Sequence, residues 1–472
     1  MSRSEFKTGI MFSAMGRYGK LVVRTGVNAV LARLLTPTDY GVVAIVNIFL
    51  VFFDMLADMG FGPAVIQNKT LDKKDISVIF RFSLYVAVAL GLLFSVMGQP
   101  VNIFYGADVY VPIFMVLGIN VFFYGLMVVP RALLLKQKDF KRVNVVEIIA
   151  SVINGVVAII LALLGFSYYS IIIGQIVQIV ITFIMYYSYT KISLDQKVRK
   201  EPITKIWNFA RNQFVFNFIN YFSRNLDNIL IGRYMNGAQL GFYNKSYQIS
   251  LYPNQLLTGI ITPVVQPIMS QYQNNLTVIK DTYLRMVRLL ANLGIPLSVF
   301  CFFAADNIIF FLFGDQWGQS IPVFRILALS IWQQMIASST GAFYQSSNRT
   351  DLLLLSGIQS MTFNVIGIIY GVYLGSIESV ATLVVITFII NFIFNNYLLM
   401  YKIFDSNFAE LVKTFIKPII LGILQLSVFY FMPDLPFNVF INLVIEGSTF
   451  IIVLIVGLLV TGQFKEIKQL IL

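Results

Sequence analysis

The chain has 472 residues, of which 58% are hydrophobic and 12% charged, against the roughly one quarter charged that is usual in soluble domains. Its formal charge of +12 is dispersed among apolar runs and forms no basic arm, which argues against nucleic acid as a partner. One cysteine and no histidine leave no intrachain disulfide, no common metal ligand and no usual proton shuttle, so no metal or other cofactor is expected.

Apolar runs of about 20 residues, long enough to cross a hydrocarbon core as helix, recur along the whole length. They predict an all-α polytopic membrane protein with about fourteen transmembrane helices. In chain order these are centred on residues 17–35, 39–60, 76–97, 110–130, 144–164, 168–190, 206–232, 239–269, 283–304, 321–345, 352–374, 378–400, 412–431 and 437–461. The opening MSRSEFKTGIMFSAMG has no signal-peptide core, so the first helix is expected to be retained. The eighth helix is long for one span, and Pro253, Pro263 and Pro267 are expected to kink it or end it early.

Most of the 34 Lys and Arg fall in one alternate set of connections, while the loops GQPVNIFYGADVY, DNIIFFLFGDQWGQS and MPDLPF carry none. The positive-inside rule then places both termini in the cytoplasm.

An internal repeat runs through this pattern. RTGVNAVLAR, Arg24 to Arg33, is answered by RNLDNILIGR, Arg224 to Arg233, and Gly41 by Gly241 in the following helix. VPIFMVLGINVFFYGLMVVPRALL resembles IPVFRILALSIWQQMIASSTGAFY, with Pro112 answered by Pro322 and the preceding loops holding Gly106 and Gly314 in equivalent places. Helices one to six are therefore read as duplicated in seven to twelve, as parallel repeats. The expected organisation is a six-helix lobe at 1–200, a pseudo-symmetric six-helix lobe at 201–404, and two additional helices at 405–472, the lobes rocking about a central cleft.

At about 100° per residue, Arg17, Lys20, Arg24 and Asn28 share one face of the first helix, and Asn217, Asn220, Arg224 and Asn228 one face of the seventh, with Asp227 beside it. Arginine near a helix centre costs about 2.5 to 3.5 kcal/mol on insertion, so such residues normally face a bundle interior or a wet cavity. The stripes are read as a cationic cavity for an anionic substrate; guanidinium stays charged when desolvated and binds phosphate bidentately. The competing reading has Arg24 snorkelling and Arg224 neutralised by Asp227.

Asp54, Asp58, Arg81 and Glu147 are the other ionisable candidates near the inner ends of spans, for coupling or gating, against a plainer reading as ion pairs such as Asp58 with Arg81. Arg33 and Arg233 at outer helix ends are either interfacial anchors or an exit site for the anion. Asn120, Tyr124, Asn154, Gln175, Gln178, Tyr221, Asn364, Asn391 and Asn395 suit hydroxyl-rich cargo and interhelical hydrogen bonding equally.

The segments LARLLTPTDYGVVAIVNIFLVFFDMLADMGFGPAVIQNK, PRALLLKQKDFKR and YFSRNLDNILIGRYMNGAQLGFYNKSYQISLYP resemble the Wzx-like polysaccharide repeat-unit flippases, in particular their colanic-acid and teichuronic-acid exporter branch. These belong to the multidrug/oligosaccharidyl-lipid/polysaccharide exporter superfamily. The resemblance implies two six-helix lobes plus two helices, alternating access, and export of an oligosaccharide carried on undecaprenyl diphosphate across a bacterial cytoplasmic membrane. Its partners would be that lipid-linked glycan, membrane lipids and the polysaccharide polymerase machinery, and the chain would not be an enzyme. A cationic central cavity carries over to Arg24 and Arg224; Asp54, Asp58 and Glu147 receive no assignment from it. The rivals are an organic-cation extruder, which should line its cavity with carboxylates, and a polytopic glycan polymerase or ligase, which should carry a long outer loop with catalytic acids.

Overall fold

The computed structural model describes residues 3–68, 70–273, 275–433 and 436–463, without the side chains of 3–18, 206, 208–220, 222–224, 256–264, 266–268 and 270. Every regular element among the described residues is helical. The chain forms two compact units, Met1–Gly241 and Phe242–Leu472.

The first unit contains α1 (Arg3–Leu34), α2 (Pro37–Asp58), α3 (Phe61–Gln67), α4 (Lys73–Val96), α5 (Gly98–Tyr105), α6 (Tyr110–Lys136), α7 (Phe140–Leu163), α8 (Tyr169–Thr190) and α9 (Lys200–Tyr234). Its core gathers Phe61, Val65, Ile79, Phe80 and Val129 from α3, α4 and α6. α1 packs along α7, and α9 packs along α2, where the Tyr221 hydroxyl donates to the Ile48 carbonyl. At the starts of α9 and α4, Lys205 pairs with Asp75 at 2.9 Å, and this carboxylate holds the lysine above its ordinary range.

The helix starts at Thr36 and Asn236, 200 residues apart, are both capped by a side chain. Thr36 caps α2 through a reciprocal box with Asp39, the Asp39 amide donating to the Thr36 hydroxyl at 3.2 Å and the Thr36 amide to the Asp39 carboxylate at 2.8 Å. Asn236 stands in the same place before α10 (Gly237–Met269) and accepts from the Gln239 amide at 2.8 Å. The first turn of α10 lies against α2 so closely that a Cβ on Gly41 would meet the Gly237 carbonyl oxygen at 1.8 Å, and one on Gly241 the Pro37 carbonyl oxygen at 2.2 Å.

The second unit continues α10 and adds α11 (Leu276–Phe303), α12 (Ala305–Phe313), α13 (Ser320–Ala328), α14 (Ile331–Ser346), α15 (Thr350–Tyr373), α16 (Ile377–Tyr397), α17 (Phe408–Tyr430) and α18 (Val439–Val460). A π-helical stretch, Leu398–Ile403, extends α16. The core holds Tyr283, Val287, Ile336, Phe343 and Leu399. α12 ends at Gly314 with φ 91° and α5 at Gly106 with φ 70°, so each short helix stops at a glycine of positive φ, but Gly106 has ψ 36° and Gly314 ψ 174°, so the chain leaves the two helices differently.

Ten helices among the described residues are long and apolar enough to cross a membrane, and α13 with α14, bent by 53°, make an eleventh such span. α1, α9 and α10 lie where three further spans are expected and include residues whose side chains are not described. The chain is a multi-pass membrane protein. Two expectations about helix ends are corrected. α10 runs as one helix from Gly237 to Met269, so none of the three prolines ends it early: each removes one amide while the remaining ladder persists. The helix expected at 321–345 is instead broken between Ala328 and Ile331, where Leu329 and Ser330 turn the chain.

Candidate functional site

The polar stripe of α1 divides into two functions. Lys20 forms an ion pair with Glu147 of α7, and Glu147 also accepts from Arg131 of α6 at 3.3 Å and from the Tyr186 hydroxyl of α8 at 3.2 Å. One carboxylate thus ties four helices together, and Lys20 is committed to that task. One turn further along α1, Arg24 is exposed, and Asn28 on the same face is half-buried. Arg17 lies among the residues whose side chains are not described.

On α9, the side chains of Asn220 and Arg224 lie outside the described residues, as does Asn217. Asp227 is buried, 5% exposed, and accepts from the Asn228 amide at 2.8 Å and its side chain at 3.3 Å. Arg33 and Arg233 occupy equivalent places, each the second-last residue of its helix, and both are exposed. The Arg233 guanidinium stacks on the Phe104 and Tyr234 rings, 5.3 and 5.8 Å from their centroids, as an interfacial anchor does.

The carboxylates of α2 sit in a different setting. Asp58 accepts the Gly62 amide at 3.1 Å, turning the chain into α3. The expected ion pair of Asp58 with Arg81 is not formed: Arg81 donates instead to the Gln196 carbonyl at 3.2 Å, tethering the loop after α8. Asp54, one turn before Asp58, has a buried Oδ1 with no hydrogen-bond partner among the described residues. Tyr124 of α6 lies close enough to feel the charges of Asp54, Asp58 and Arg131. Arg131 and Tyr186 are not singled out as site residues in the sequence. The available signal was an arginine following Pro130 within an apolar span, VVPRALL, which reads as another inner-end cation until its partner is known.

Most hydroxyls within the spans donate to carbonyls of their own helix, as Ser151 does to Glu147 and Thr182 to Gln178, while several amides bond between helices. Asn154 donates to Gln178 at 2.8 Å across α7 and α8, and Thr387 to Asn364 at 2.7 Å across α15 and α16. Gln175 donates to Asn47 at 3.3 Å and Gln359 to Asn391 at 3.0 Å, while Asn395 accepts from Ser356. Where the sequence left cargo contact and interhelical bonding open, the geometry assigns these groups to bonding. No group of three or more metal-ligating side chains occurs among the described residues.

Residues 30–322 match the model of a family described as polysaccharide biosynthesis protein. The chain belongs to that family. It is 25% identical over 410 residues to the teichuronic acid biosynthesis protein TuaB of Bacillus subtilis strain 168, covering 85% of this chain and 84% of TuaB. Its fold is that of the lipid II flippase MurJ in an inward closed conformation, with TM-score 0.75 and 15% identity over 95% of this chain and 98% of MurJ. The inward-facing conformation of a multidrug resistance MATE family transporter has TM-score 0.64 and 16% identity, covering 85% of this chain and 99% of that chain. The fold is common to flippases and drug transporters, so the choice between them rests on the site and the family.

Proposed function

We propose that this family member moves an oligosaccharide linked to undecaprenyl diphosphate from the cytoplasmic to the outer leaflet of a bacterial membrane by alternating access. The observation that carries the reading is Arg24: an exposed arginine on a helix of a multi-pass protein, with Arg224 at the position 200 residues later. A guanidinium in that position can bind a diphosphate bidentately and remain charged out of water. Arg224 holds the equivalent sequence position and takes the equivalent role, with Asn28, Asn220 and Asn228 offering hydrogen bonds beside the two arginines. Supplying a wet, cationic path is the whole task, because a charged head group does not cross hydrocarbon unaided.

On this reading the chain does no covalent chemistry, both termini are cytoplasmic, and the polymer-building machinery receives the product. Asp54 is the coupling carboxylate: its buried, unpartnered oxygen is what a cation would satisfy. Glu147 has the opposite character, being saturated by Lys20, Arg131 and Tyr186, and is assigned to structure.

The test reconstitutes the full chain in liposomes and offers either an undecaprenyl diphosphate-linked oligosaccharide or ethidium, with and without a proton gradient. The glycan lipid is expected to move and ethidium to stay, with Asp54→Asn folding normally and losing the gradient dependence. Transport of ethidium without the glycan lipid would replace this reading with the drug-extruder one.

A further inference from the structure

We propose a second lipid site, distinct from the cargo path: the groove where α16 passes into α17 binds the head group of an anionic glycerophospholipid. The groove has a volume of about 690 Å³ and is lined by Ile393, Tyr397, Tyr401, Lys402 and Phe408. That is a usual size for a small-molecule site.

Its shape comes from the π-helical stretch at Leu398–Ile403, a geometry that is rare and recurs at functional sites. The wide turn buries Leu398, Leu399, Met400 and Ile403 and leaves Tyr397, Tyr401 and Lys402 outside. The Phe404 amide closes it on the Leu399 carbonyl at 2.9 Å, and the Ser406 amide on Met400 at 2.8 Å. Ile393, Tyr397 and Tyr401 form a stripe along the outside, 52%, 44% and 45% exposed, and the two tyrosine rings lie 5.1 Å apart.

The position fixes which part of a lipid would be met. The apolar span ends at Ile403 and the next begins at Phe408, so the stripe runs from hydrocarbon depth at Ile393 to the water boundary at Lys402. Tyrosine hydroxyls and a lysine ammonium at that level donate to phosphate and glycerol oxygens.

Charge selects the anionic class. Neighbouring cations already have carboxylates: Arg349 pairs with Asp351 at 2.9 Å and Lys280 with Glu410 at 3.0 Å. Arg349 also donates to the Lys402 carbonyl at 3.1 Å, fixing the turn from behind. Lys402 itself is exposed and has no carboxylate within ion-pair distance among the described residues, nearby Asp405 included. A lysine held at the interface beside two exposed tyrosines, with its neighbours neutralised, is complementary to a lipid phosphate carrying net negative charge. The inference requires only that α16 and α17 span a bilayer; it is independent of what the protein transports.

The test measures lipid retention on the purified, delipidated full chain by native mass spectrometry, adding phosphatidylglycerol or phosphatidylcholine, for the parent, Lys402→Gln, Lys402→Arg and Lys413→Gln. The parent is expected to prefer phosphatidylglycerol, Lys402→Gln to lose about fivefold of that preference, and Lys402→Arg and Lys413→Gln to keep it. Thermal melting of each variant separates lost binding from lost folding. Equal retention of the two lipids, a preference that survives Lys402→Gln, or displacement by millimolar inorganic phosphate would overturn the proposal. Displacement of phosphatidylglycerol by undecaprenyl diphosphate at equal concentration would overturn it too, returning the groove to the cargo.

Discussion

Lys20 and Arg24 stand one turn apart on the same face of α1, yet they meet different surroundings, and the difference decides what each can do. Glu147 takes up Lys20 and Arg131 together and accepts from Tyr186, so its loss would leave two cations without their shared partner. All three charged groups keep some exposure, 37% for Lys20, 47% for Arg131 and 17% for Glu147, which puts the network between surface and buried ion pairs in worth. Glu147→Gln is accordingly expected to lower stability by about 1 to 2 kcal/mol. Detergent-solubilised melting curves would show it, and Glu147→Gln combined with Lys20→Met should recover part of the loss. A melting temperature unchanged in the single variant would mean that the pairs contribute nothing. None of this was legible from sequence: Lys20 and Glu147 are far apart in the chain, and neither has a neighbour that announces the other. The same blindness produced the incorrect pairing of Asp58 with Arg81, where the real acceptor is a backbone carbonyl with no sequence signature.

Helices and their junctions were easier to read where backbone chemistry sets them. The loops holding Gly106 and Gly314 look alike in sequence, and each ends a short helix at a glycine because a positive φ favours glycine wherever it occurs, although the two differ in ψ. Proline was a poorer guide: α10 absorbs three of them, while the break between α13 and α14 falls at Leu329 and Ser330, which carry no breaker signal. Gly41 and Gly241 were noticed as a repeated pair, but their role depends on a contact that only the fold displays. Adding a Cβ to either drives it into a backbone carbonyl, whereas one added to Gly26 of α1 meets nothing within 4 Å. Gly41→Ala is therefore expected to destabilise the first unit by about 1 to 3 kcal/mol, and Gly26→Ala to stabilise it by about 0.5 to 1 kcal/mol through helix propensity. Equal melting temperatures for the two variants would show that α2 and the start of α10 do not pack as described.

For the molecule as a whole, composition already required a multi-pass helical protein, and the duplicated arginine stripe pointed to an anion. The chain belongs to a polysaccharide biosynthesis family and has the fold shared by MurJ and a MATE family transporter. The described geometry narrows the candidates within it, removing Lys20 and Glu147 to a structural network, setting Asp54 apart by its unpartnered oxygen, and leaving Arg24 presented outward. The central claim is that Arg24 recognises the diphosphate of the carrier. It is tested most directly in liposomes by flipping rates for the same oligosaccharide linked to undecaprenyl diphosphate or to undecaprenyl monophosphate, for the parent, Arg24→Lys and Arg24→Ala. The account predicts a parent that prefers the diphosphate, a loss of at least about tenfold on that substrate in Arg24→Ala, partial activity in Arg24→Lys, and a much smaller effect on the monophosphate. Equal rates for the parent and Arg24→Ala on the diphosphate-linked substrate would contradict it.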